Sequence, residues 1–180
     1  MNISPNTNGL IDKGTIDRLA EFKTWVDQIY NNDLTRSESV RVSASTYRGK
    51  DDTYAPQMAI DGNYDTYFAI DDAIRSAVIE IDLGSVQEIK GFIIQEYIPL
   101  GQRVDGYTIE CRVNGNWKKV FSGKHIGYKR IILEGKASAS DVKFPASDGV
   151  RLRIEDAMAC PLISTFNIIG EPGISNNRNL

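Results

Sequence analysis

YTIECRVNGNW, residues 107–117, decides the fold class. Tyr107, Ile109, Cys111 and Val113 alternate with Thr108, Glu110 and Arg112. A period of two belongs to a β-strand with one face buried and one face wet. Asn114-Gly115-Asn116 then interrupts the run before Trp117. Asn-Gly between two such segments is a strong hairpin signal, because both residues tolerate the positive φ that a tight turn needs.

The same alternation recurs along the chain. Residues 40–44 alternate, Ile79, Ile81 and Leu83 oppose Glu80 and Asp82, and Val150, Leu152 and Ile154 oppose Arg151, Arg153 and Glu155. The apolar run 91–94 and the segments 117–121, 128–133 and 165–169 bring the expected total to eight short strands. No helical pattern lies between them. The expected fold is therefore mainly β: an antiparallel eight-stranded β-sandwich or jelly roll. Its loops would gather at two ends, where function usually resides.

Only the N-terminal part reads differently. Ile16, Leu19, Phe22, Val26 and Ile29 recur at steps of three and four, one face of an amphipathic α-helix. Asp12 is a suitable N-cap and Asn31-Asn32-Asp33 a stop, which predicts a helix over 13–30. The expected organisation is a helical segment over 1–34, a sandwich over 35–170 and a polar, disordered tail over 171–180.

The chain has 180 residues, 41% hydrophobic and 25% charged, which suits one globular domain with a short extra segment. A complete (β/α)8 barrel needs about 250 residues. The formal net charge of −3 and pI near 5.2 give no electrostatic footing for nucleic acid and argue against an anionic membrane surface. No apolar run approaches the ~20 residues of a spanning helix. Residues 1–5 lack the basic start and apolar centre of a signal peptide. The two cysteines, Cys111 and Cys160, have no zinc spacing, and Cys111 lies in phase with buried positions, as a free thiol would.

Several clusters could carry chemistry. EYIPLGQRV, residues 96–104, turns a rigid corner while presenting Glu96, Gln102 and Arg103. A plain turn needs none of these groups. IGYKR, residues 126–130, adds Tyr128, Lys129 and Arg130. Together they read as a docking surface for carboxylates or hydroxyls. Tyr54, Tyr64 and Tyr67 lie in expected loops and could stack on sugar rings, with Tyr47, Tyr97 and Trp117 as further aromatic candidates. Asp61, Asp65 and Thr66, in a Gly-containing loop, are oxygen donors of the kind calcium takes, without the EF-hand spacing. His125 is the one histidine, and no serine stands in a nucleophile elbow.

APQMAIDGNYDTYF, residues 55–68, resembles the Ala-x-Asp-Gly…Thr-x-Trp signature of discoidin domains, the coagulation factor 5/8 type C family, also called galactose-binding-like. Phe68 stands in the usual tryptophan position. EYIPLGQRV, GKHIGYKRI and ACPLISTF resemble, in order, motifs of the C-terminal module of bacterial retaining α-L-fucosidases. NISPNTNGLIDKGTIDRLAEFKTWV is similar to the last loop and closing helix of their catalytic barrel, with Ser4-Pro5 in place of Pro-Pro. The resemblance spans residues 2–170 and implies an eight-stranded jelly roll.

It also implies a division of labour. The family's nucleophile lies upstream of every matched residue, so no catalytic residue is expected in this chain. The parent protein is expected to be a secreted or periplasmic glycoside hydrolase. Glu96, Gln102, Arg103, Tyr128, Lys129 and Arg130 would face its catalytic barrel. Such modules often hold a structural calcium beside the Asp61 loop, yet Thr165 stands where a glutamate ligand is usual. Three functions follow: an accessory module that docks on the barrel, binds glycan, or both; an autonomous carbohydrate-binding module for galactose- or fucose-type glycans; and a discoidin domain that binds lipid or cell surfaces. An unpartnered helix stripe would favour self-association.

Overall fold

The computed structural model describes residues 8–135 and 142–171. They fall into two compact units. One carries the helix and ends at Asn32, and the other runs from Asp33 to Glu171. Ser4-Pro5 and residues 172–180 of the expected tail lie outside the described residues.

Helix α1 spans Lys13–Asn31. Asp12 caps it: one carboxylate oxygen accepts the Thr15 N–H at 2.9 Å and the other accepts the Thr15 hydroxyl at 2.6 Å. These bonds hold the Asp12 carboxyl below its ordinary pKa. Ile29 is buried and Leu19 and Val26 are half-buried, whereas Ile16, Phe22 and Trp25 are exposed.

The second unit is the sandwich. Its strands are β1 (Arg41–Ala44), β2 (Phe68–Ala69), β3 (Ala77–Gln87), β4 (Ile89–Glu96), β5 (Val104–Val113), β6 (Asn116–Gly123), β7 (Arg130–Leu133), β8 (Ser147–Ala157) and β9 (Leu162–Gly170). One sheet has the order β1-β3-β8-β5-β6 and the other β2-β9-β4-β7. Every pairing between these strands is antiparallel. The count among the described residues is nine where the sequence reading predicted eight. The extra strand, β2, has two residues, too few to show a period, and forms by pairing with Ile163 and Leu162 of β9. The hairpin between β5 and β6 forms as the sequence indicated, with φ of 51° at Asn114 and 75° at Gly115.

The alternation sorts side chains into core and surface. Ile79, Ile81, Leu83, Tyr107, Ile109, Cys111, Val150, Leu152 and Ile154 face inward from the five-stranded sheet. They meet Phe68, Phe92, Ile94, Phe166 and Ile168 of the other sheet. On the outer face the charges answer one another. Arg112 donates to Asp82 and to Asp148, each at 2.8 Å, and Arg151 pairs with Glu110. The Trp117 ring receives both cations, with the Arg151 guanidinium 4.4 Å and the Arg112 guanidinium 5.6 Å from its centroid. The Arg112 hydrogen bond, more than any other contact, holds the Asp82 carboxyl below the usual carboxylate range.

Leu152 sits at the centre of its sheet, with Ile79 and Ile109 as its cross-strand neighbours and no exposed surface. Leu152→Ala should therefore lower unfolding free energy by about 2–5 kcal/mol in urea titrations, since the surrounding strands cannot collapse into the cavity.

Candidate functional site at one loop end

Five connections gather at one end of the sandwich: residues 45–67, 70–76, 97–103, 124–129 and 158–161. Their closeness follows from the register. Ala44 at the end of β1 faces Ile79 near the start of β3, and Val104 at the start of β5 faces Ala157 at the end of β8. The loops are then tied directly. The Met158 N–H donates to the Arg103 carbonyl at 2.8 Å, and the Tyr97 N–H donates to the Leu162 carbonyl at 3.0 Å.

Glu96 is the anchor of this end. It is 2% exposed, and its carboxylate accepts three backbone N–H groups. Oε1 takes those of Arg103 at 2.7 Å and Val104 at 2.9 Å, and Oε2 takes that of Gly127 at 2.9 Å. One side chain thereby joins the 97–103 corner to the 124–129 loop. Arg103 also turns inward. Its Nη1 donates to the Cys160 carbonyl at 2.9 Å and its Nη2 to the Leu100 carbonyl at 3.1 Å. Gln102, Tyr128 and Arg130 are exposed, Tyr128 at 71%. Lys129 is half-buried, with its ammonium 5.3 Å from the centroid of the Tyr64 ring.

The three candidate tyrosines do not stay together. Tyr54 and Tyr67 pack with centroids 5.7 Å apart, and Tyr97 stacks on Tyr67 at 4.3 Å. Tyr64 is exposed and pairs with Lys129 instead. Burial pushes the Tyr67 phenol above its ordinary pKa, so it stays a neutral hydroxyl at physiological pH.

Sequence reasoning missed the groups around this trio. The Arg48 guanidinium lies 5.3 Å from the Tyr54 centroid, donates to the Ile70 carbonyl at 3.2 Å and pairs with Asp72. Arg48 and Arg103 both approach the buried Cys160 sulfur, at 3.1 and 2.9 Å. No local pattern could have shown this, since Arg48 and Cys160 lie 112 residues apart.

The calcium candidates form a closed loop of their own. Asp61 accepts the Asn63 N–H at 2.8 Å through Oδ1 and the Thr66 hydroxyl at 2.6 Å through Oδ2. Asp65 is exposed. Thr165 is buried, and its hydroxyl donates to the Gln95 amide oxygen at 3.2 Å. Among the described residues, no group of three or more His, Cys, Asp or Glu could hold a metal. A hard cation such as calcium takes about six to eight oxygens, carboxylates among them. This donor set does not fit one. His125 lies 3.3 Å from Asp105, and the outer-face carboxylates Asp82, Glu110 and Asp148 are engaged by arginines.

The F5/8 type C domain profile matches residues 41–155, from β1 through most of β8. The chain belongs to the F5/8 type C domain family. Its relatives are larger proteins. Alpha-L-fucosidase 1 of Arabidopsis thaliana is 26% identical over 182 residues, covering 99% of this chain and 34% of that protein. A Ruminococcus gnavus GH29 fucosidase solved in complex with fucose is 29% identical with a TM-score of 0.83, covering 95% of this chain and 33% of that one. The chain thus spans about a third of the length of these relatives. The family 32 module of Clostridium perfringens NanJ, solved with galactose, shares the fold at 17% identity and a TM-score of 0.61.

Two measurements check this geometry. Glu96→Gln keeps the shape but turns an amide N–H toward a backbone donor, and should cost about 1–3 kcal/mol of stability in urea titrations. Both cysteines are free and buried, and burial pushes the Cys111 thiol up to about 12. Burial also raises Cys160 despite its two arginines. A thiol reagent should therefore leave the folded chain unlabelled at about pH 8 and label both thiols after denaturation.

Proposed function

We propose that this chain is a non-catalytic accessory module of an α-L-fucosidase, and that its loop end docks on the catalytic barrel. The observation that carries the reading is the match to a GH29 fucosidase over 95% of this chain and 33% of that one. A segment of that extent corresponds to one module of a larger enzyme. The loop end offers Gln102, Tyr128 and Arg130 as exposed polar and aromatic contacts, with Leu100 and Met158 exposed beside them. Exposed apolar groups rimmed by donors suit a protein partner. Glu96 and Arg103 serve that surface indirectly, by holding its loops in place.

A second reading has its own support. The stacked Tyr54, Tyr67 and Tyr97, flanked by Arg48 and Asp72, combine aromatic faces with charged hydrogen-bonding groups. Sugars are bound by such combinations, with rings packing on apolar sugar faces and charged groups meeting hydroxyls. On this reading the module takes fucose- or galactose-type glycans.

Calorimetric titration of the 180-residue chain with methyl α-L-fucoside and with galactose separates the two. Docking alone predicts no saturable heat. Glycan binding predicts saturation that Tyr67→Ala weakens at least about tenfold, the equivalent of ~1.4 kcal/mol. Neither reading permits turnover, so release of aryl groups from an aryl fucoside by the pure chain would sink the non-catalytic assignment.

A further inference from the structure

We propose that a side chain takes the place of a cation at the Asp61 loop: the Arg36 guanidinium clamps it, and the module is calcium-independent. Arg36 ends a short 3₁₀ turn, Leu34–Arg36, whose N-cap is Asp33. Its Nε donates to Asp33 Oδ2 at 3.1 Å and its Nη1 donates to the Ile60 carbonyl at 3.3 Å. Asp33 is itself fixed, since its Oδ1 accepts the Thr35 N–H at 3.0 Å and the Thr35 hydroxyl at 2.6 Å. Asp33 also bridges to Ile169 at the end of β9. The guanidinium thus links the loop to the sheet through a carboxylate that is already held.

Gly62 makes the approach possible. Its φ is +80°, and a Cβ built there would lie 2.2 Å from Nη2 and 2.8 Å from the guanidinium carbon of Arg36. A side chain at this position would push the guanidinium aside, and the positive φ itself favours glycine. The Asp61 carboxylate is already engaged: both of its oxygens close the loop on itself. A divalent ion added here would meet a fixed positive charge and too few carboxylates.

The test uses the 180-residue chain stripped with chelator. Thermal unfolding should be the same in calcium and in EDTA, and calorimetric titration with calcium chloride should give no saturable heat. Arg36→Ala should lower Tm by about 2–4 °C. Gly62→Ala should lower it as well. One saturable calcium site in the wild type, or an Arg36→Ala protein that melts with the wild type, would overturn the proposal. Should Arg36→Ala fail to fold, Arg36→Lys decides: it keeps the charge and loses the fork, and melting at the wild-type temperature would equally count against the clamp.

Discussion

The loop end of this sandwich depends on one buried carboxylate. Glu96 closes β4 and accepts three backbone N–H groups from two separate loops. A carboxylate is an acceptor with room for several donors, and burial strengthens each bond. Removing it would strand three backbone donors at once. The corner that carries Gln102 and the loop that carries Tyr128 therefore share one support, and Arg103 adds a second tie to the 158–161 connection.

The tyrosine trio rests on the same scaffold. Tyr97 directly follows Glu96, and its N–H is held by the Leu162 carbonyl. Tyr67 directly precedes β2, whose two residues pair with β9. Their stacking is thus set by the junction of β4, β9 and β2. Arg48 closes the arrangement through Ile70 and Asp72.

Away from this end the charges of the sandwich answer one another. The outer face of the five-stranded sheet could have looked like a row of paired carboxylates fit for glycoside chemistry. Arg112 and Arg151 engage those carboxylates and share the Trp117 ring, so the face is a self-satisfied surface. All five residues of these pairs are half-buried. They keep the sheet wet on one side while Leu152 and its neighbours fill the other.

Much of the fold was legible in the chain itself. Period-two alternation and short apolar segments located eight strands, Asn114-Gly115 located the hairpin, and Asp12 located the start of α1. These are local consequences of backbone sterics and of burying one face. The two-residue strand β2 was illegible because it exists only through its partner on β9. The candidate site was legible in part. Tyr54 and Tyr67 stood out as loop aromatics, but their meeting with Tyr97 and Arg48 was not visible. Nor was the inward turn of Glu96 and Arg103, which a reading of charge along the sequence places at the surface. Alternation and turn chemistry act between residues a few positions apart, so the sequence by itself determined the elements. Contacts across 112 residues arise only when loops from different strands reach the same end, so the site was left to the tertiary structure to decide.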